Sequence, residues 1–197
     1  MDWDIAFRET GTKEHLQLVK ETLDAKHQAD LGNHDTAARI LWEIIIEAKH
    51  RGDQAWECIT MVHMGKVYRV LRWGVAVKFY EQAIKLADAI DFKKAKMMAL
   101  NDLGEMRCSW GELEVSIELF GESLSLALHD DIKARRDIML NLVMANEGLG
   151  RLAVCRDLLK ELIQLDKELG HQDLFEDREY LAGIQARLLE DGQERGS

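Results

Sequence analysis

Apolar and small residues recur three to four positions apart along most of this chain, the spacing that turns one face of a helix toward a core. The stretch from Leu100 to Ala127 shows the unit most completely. Leu100, Leu103, Gly104 and Arg107 share one side of a first helix, and Ser116, Phe120, Ser123 and Ala127 share one side of a second. Gly111 lies between them, where the chain must reverse. Gly104 and Ser116 are small where two helix backbones would approach closely. The pattern predicts a helix, a break and a second helix.

The same marks return at a fixed period. Ser116 is matched by Ala37, Ala76 and Cys155, at intervals of 39, 40 and 39 residues. The large position of Phe120 is matched by Leu41, Tyr80 and Leu159, and the position of Ser123 by Ile44, Ala83 and Leu162. On the first helices, Met64-Gly65 and Leu142-Val143 correspond to Leu103-Gly104, with Ala25 in the Gly place of the first repeat. The expected turn glycines are Gly32, Gly74, Gly111 and Gly150, with Gly74 about three residues late in this register. Three columns in one register resemble the tetratricopeptide repeat (TPR), whose motif is a Leu-Gly pair followed at fixed offsets by a small, a large and a small residue.

That resemblance implies an all-α, right-handed superhelical solenoid of antiparallel helix pairs. The usual TPR is 34 residues long and ends in Pro, whereas this chain has no Pro and a period of about 40. Nothing therefore stops the second helix at Asp88, Leu128 or Lys167, and longer helices are expected. Such a chain is similar to the long-helix variety of the family, found in bacterial regulators and some eukaryotic scaffolds. Repeats are expected at about 13–52, 53–91, 92–130 and 131–170, with a capping helix at 173–190 and a tail at 191–197. The array counts as one domain, since each repeat of a solenoid touches only its neighbours.

Residues 1–12 precede the repeats. Their Trp3, Ile5 and Phe7 can either cap the first pair or form an arm that inserts into a neighbouring molecule. Thr12 is the expected N-cap of the first helix, which runs to about Leu31. Further helices are expected from Asp35 to Arg51, Asp53 to Leu71, Val75 to Ile90, Ile132 to Leu149 and Leu152 to Leu169, with Trp73 at a reversal. The last helix offers Phe175, Tyr180, Leu181, Ile184 and Leu188 for packing. Glu176, Asp177, Gln185 and Arg187 would give it a wet outer face.

Charged residues make up 31% of the chain and hydrophobic residues 47%, which suits a folded helical protein and not a disordered one. No run approaches the roughly 18 uncharged apolar residues that span a bilayer, so membrane insertion is not expected. The net charge of −10 is uneven: residues 54–107 carry 9 bases against 6 acids, and every other segment is acidic. Nucleic acid and anionic membrane are therefore not expected as general partners. MDWDIAFRET has no basic segment followed by an apolar one, and the three cysteines are odd in number and widely spaced. Both point to a cytoplasmic, reducing location.

Catalytic and metal chemistry find little footing. Cys58 and His63 are five apart and do not share a helix face, and no cluster has zinc-ligand spacing. No Gly-x-Ser-x-Gly turn surrounds a serine, and Gly148-Leu149-Gly150 lacks the residues of a phosphate loop. Glu112 with Glu114, and Asp130 with Asp131, read as helix N-terminal charge. No enzyme activity, metal or cofactor is expected.

The resemblance instead implies binding of a protein or peptide in a concave groove lined by the first helices. Carried over by position, repeat one offers Val19, Thr22, Lys26 and Ala29, and repeat two Ile59, Val62, Lys66 and Arg69. Repeat three offers Met98, Asn101, Glu105 and Cys108, and repeat four Asp137, Leu140, Met144 and Glu147. The groove would be basic at one end and acidic at the other. Lys66 and Arg69, with Arg72 nearby, would hold a carboxylate, and the Asn101 amide would pair with peptide backbone. Met98 and Met144 project away from the core-filling methionines and suit an adaptable site. No repeat shows the Lys-then-Asn pair with which one branch of the family grips C-terminal carboxylates. Self-assembly into a homo-oligomeric scaffold, or co-chaperone action on a secretion client, are the alternative readings.

Overall fold

Five of the chain reversals are closed in the same way. After α1 (Lys13–Asp30), α2 (His34–Arg51), α4 (Trp73–Ala89), α5 (Lys93–Ser109) and α7 (Ile132–Gly148), an amide bonds back to the carbonyl five residues earlier. These bonds are Asn33 to Gln28, Asp53 to Ala48, Phe92 to Ala87, Glu112 to Arg107 and Arg151 to Asn146, at 2.8 to 3.0 Å. Such closures need a left-handed residue, supplied by Gly32, Gly52, Gly111 and Gly150 at φ between 68° and 82°. Asp91, at φ 53°, takes that conformation without being glycine.

The turn between α3 (Gln54–Leu71) and α4 differs from expectation. It is the single residue Arg72, in extended conformation at φ −154° and ψ 96°. No positive φ is needed, so Gly74 is free to lie inside α4, and Trp73 opens that helix instead of sitting in the reversal. The remaining helices are α6 (Leu113–Leu126), α8 (Leu152–Leu169) and α9 (Leu174–Glu194). Asp53 caps α3 through the Trp56 amide at 2.9 Å, and Asp131 caps α7 through Ala134 at 3.3 Å.

In the computed structural model, residues 13–128, 131–169 and 174–194 are described. The readings placed on residues 1–12, Asp130, Gly170, Asp173 and the last three residues fall outside them. The last helix continues to Glu194, past the expected start of the tail. The chain divides into two compact units, residues 1–102 and 103–197, with the boundary inside α5. In the first unit α1, α2, α3 and α4 pack in succession, and in the second α6, α7, α8 and α9 do the same.

The repeat columns are the core. All twelve residues of the three columns are 0 to 1% exposed, from Ala37, Leu41 and Ile44 to Cys155, Leu159 and Leu162. Ala25, in the Gly place of the first repeat, is also 0% exposed. The glycines are small because aromatic rings lie against them. A Cβ on Gly65 would stand 2.5 Å from the Tyr80 ring, and one on Gly104 would stand 2.6 Å from the Phe120 ring. Gly121 on α6 has nothing within 4 Å of such an atom. Gly121→Ala is therefore expected to stabilise the protein by about 0.5 to 1 kcal/mol in chemical denaturation, by removing the helix penalty of glycine.

A buried charge cluster joins three helices of the second unit. Arg136 of α7 donates from Nη2 to Asp177 of α9 at 2.9 Å and from Nε to Asp166 of α8 at 3.4 Å. Asp177 was expected on a wet outer face, but it is 4% exposed, because Arg136 draws its carboxylate inward. Phe175, expected to pack, is instead 68% exposed.

Candidate partner-binding surface

In the first unit, the expected groove residues divide by how closely their helix is packed. α3 lies between α2 and α4, and the run from Cys58 to Gly65 is buried on every side. The expectation that Ile59 and Val62 line a surface is therefore corrected: they are 4% and 0% exposed, and both are core. Thr22 is corrected likewise. It is 1% exposed, and its hydroxyl donates to the Leu18 carbonyl at 2.9 Å, so no hydroxyl is offered to a partner.

Beyond that run α3 emerges. Lys66 is held to Asp102 at 3.4 Å, with side chains only 11% and 10% exposed, so it ties α3 to α5 within the first unit. Arg69, Met98 and Asn101 are half-buried at the surface, as are Val19 and Ala29. Lys26 pairs with Asp30 one turn on, at 2.8 Å, and this hydrogen bond draws the Asp30 carboxyl below its ordinary range. The sequence reading overlooked an aromatic row, in which Tyr68 stacks on Phe79 and Trp42 meets Phe79 edge-on, both at 5.6 Å. It also overlooked Val70 and Trp73, 64% and 47% exposed beside Arg72. The unusual position of Gly74 was the only local sign of this turn.

In the second unit, Glu105 accepts a hydrogen bond from Asn141 at 3.5 Å, joining α5 to α7. Leu140 is half-buried against the core cluster around Met139 and Val143, and Asp137 is exposed. Met144, 59% exposed, points away from that core, in contrast to Met139 at 1%. Glu147 already has partners within the chain: the Tyr180 hydroxyl and the Arg187 guanidinium of α9 both donate to it. The Tyr180 hydrogen bond, with Arg187, holds the Glu147 carboxyl below its usual range. In turn, burial and the Glu147 carboxylate push the Tyr180 phenol up.

The cysteines separate by environment. The Cys58 thiol donates to the Ala83 carbonyl at 3.3 Å, and burial pushes its pKa up to about 12. Burial raises Cys155 as well, and its Sγ meets the Val143 carbonyl at 3.4 Å. Cys108 is half-buried. Since the thiolate is the reacting form, iodoacetamide on the folded protein is expected to label Cys108 at least tenfold faster than the other two, as read by peptide mass mapping. Among the described residues no group of three or more His, Cys, Asp or Glu side chains could hold a metal ion, and no helix is long and apolar enough to cross a membrane.

No protein-family model and no curated protein matches the chain. Among solved structures, it is similar to BtubC (BKLC) from P. vanneervenii, with a TM-score of 0.68 and 14% identity, over 83% of this chain and 68% of that one. It is also similar to a putative kinesin light chain with nearly identical TPR-like repeats from Podosopora anserina, with a TM-score of 0.65 and 14% identity, over 87% of this chain and 96% of that one. At this identity the likeness speaks to architecture. The chain has the fold of TPR-like helical repeats.

Proposed function

We propose that this chain is a non-catalytic protein-interaction module, an adaptor or regulator that binds a segment of a partner on the surfaces of its first helices. Helical repeats of this kind generally serve as surfaces for other proteins and are typically non-catalytic. The observation that carries the reading is on α7. Its inward residues Met139, Leu142 and Val143 complete the core, while Met144 stands 59% exposed, with Leu140 half-buried. A flexible thioether beside partly covered leucine suits adaptable contact with an apolar side chain. In the first unit, Arg69 with Met98 and Asn101 offers cationic, thioether and amide groups, which suit an acidic peptide. Free thiols at Cys58, Cys108 and Cys155 support a reducing, cytoplasmic setting.

Affinity capture from the native lysate tests the reading, with wild type beside Arg69→Glu and Met144→Glu. Lys66 is left intact, because its reversal would set a carboxylate against Asp102. At least one partner is expected to be lost by about tenfold or more from a variant whose circular dichroism and melting are unchanged. Identical capture by all three proteins would contradict the proposal.

A further inference from the structure

The two most exposed large apolar side chains among the described residues are Phe175 and Leu189, at 68% and 70%, and both are on α9. They are 14 residues apart, about 21 Å along a helix. Ala182 lies at the midpoint, seven residues from each. At about 100° per residue the three fall within roughly 40° of one another, and Ala186 joins them. This stripe lies opposite the face that carries buried Asp177 and Ile184. The residues between its ends are small: Ala182, Gly183 and Ala186 are all exposed, and nothing lies within 4 Å of a Cβ built on Gly183.

We infer that α9 pairs with α9 of a second copy of this chain, antiparallel, about a two-fold axis at Ala182. The spacing is self-complementary, as an isologous contact requires. Turning the helix end for end about Ala182 sets Phe175 against the partner's Leu189 and Leu189 against the partner's Phe175. Ala182 then meets its own counterpart, and small residues at the crossing let two helix backbones approach to about 8 Å. No like charges meet on the centre line: Arg178 falls opposite Gln185, and Glu179 opposite Ala186. Only on the outer flank does Glu176 approach Glu190. A single helix pair buries about 1,000 Å² or less, the low end for specific interfaces, so the dimer is weak and forms at micromolar concentrations or above. Each copy carries −10, so added salt strengthens it. This inference does not depend on the proposed binding of a partner.

The full chain is tested by sedimentation at about 5 and about 200 µM. The weight-average mass is expected to rise from one chain toward two, more so at high salt. Ala182→Glu, a change on an exposed helical face, is expected to weaken association at least tenfold without lowering the melting temperature. Cysteine pairs fix the register. Under mild oxidation Ala182→Cys is expected to yield a covalent dimer, and Leu189→Cys to cross-link with Phe175→Cys but not with itself, because a disulfide needs Cα atoms within about 7 Å. A single-chain mass at about 200 µM, a mass beyond two chains, a dimer indifferent to Ala182→Glu, or self-cross-linking of Leu189→Cys in preference to Ala182→Cys would each overturn the inference.

Discussion

Replacing Arg136 by methionine is expected to destabilise the second unit by about 3 to 5 kcal/mol in urea denaturation, one of the largest effects open to a single substitution here. The Arg136 side chain is 9% exposed, and its guanidinium serves two carboxylates, Asp166 at 0% and Asp177 at 6% side-chain exposure. Removing it leaves both acids in a low-dielectric setting with their cation gone. Methionine keeps much of the aliphatic bulk, so the loss reports charge and hydrogen bonding and not a cavity. Asp177→Asn should behave differently. Two acids share one cation, so neutralising one of them leaves the Arg136–Asp166 pair intact, and the expected change is within about 1 kcal/mol.

The same cluster sets a pH dependence. Burial pushes the Asp177 carboxyl above its ordinary 3.8, a hydrogen bond with Asp166 adds to the rise, and Arg136 opposes it. A group whose folded pKa is raised contributes stability that is fully present below the unfolded value and is lost as pH rises through the folded one. Unfolding free energy should therefore contain a component that falls as pH rises above 3.8 through the raised value. Asp177→Asn should remove that component. An unchanged profile in the variant would assign the slope to other groups.

What could be read from the sequence was what repeats. The three columns are periodic because each is a contact remade in every helix pair, and such contacts leave the same residue types at the same spacing. Long-range charge pairing leaves no such trace. Arg136 is 30 residues from Asp166 and 41 from Asp177, and nothing in the local pattern near 177 distinguishes an inward acid from a solvated one. The same holds for Lys66 with Asp102, and for Glu147 with Tyr180 and Arg187.

The misplaced groove residues share one cause. Position within a repeat says which side of a helix a residue takes, but not whether a neighbouring helix covers that side. Both α3 and α7 have a helix on either side, α2 and α4 for the first and α6 and α8 for the second, yet Ile59 and Val62 became core whereas Met144 stayed open. Arg72 shows a further limit. A reversal made by one extended residue requires neither glycine nor proline, and so has no composition to reveal it.

The second large effect concerns the ring that fills each repeat. Phe120 is 1% exposed, so Phe120→Ala is expected to cost about 3 to 5 kcal/mol through lost burial and the cavity left behind. In the wild-type background, Gly104→Ala should cost about 1 to 3 kcal/mol, because its Cβ would stand 2.6 Å from the ring of Phe120, which is 1% exposed and would have to shift within the core. With the ring gone that contact vanishes, and alanine is the better helix former by up to about 1 kcal/mol.

The measurement that bears most directly on the whole account is therefore the thermodynamic cycle of Gly104→Ala and Phe120→Ala, followed by urea denaturation of all four proteins. If ring over glycine is the joint from which these helix pairs are built, Gly104→Ala destabilises the wild type and becomes neutral or stabilising beside Phe120→Ala, a coupling of about 1 to 4 kcal/mol. Equal effects of Gly104→Ala in both backgrounds would mean that the repeat columns do not meet in the folded protein, and the architecture on which the proposed surface stands would be wrong.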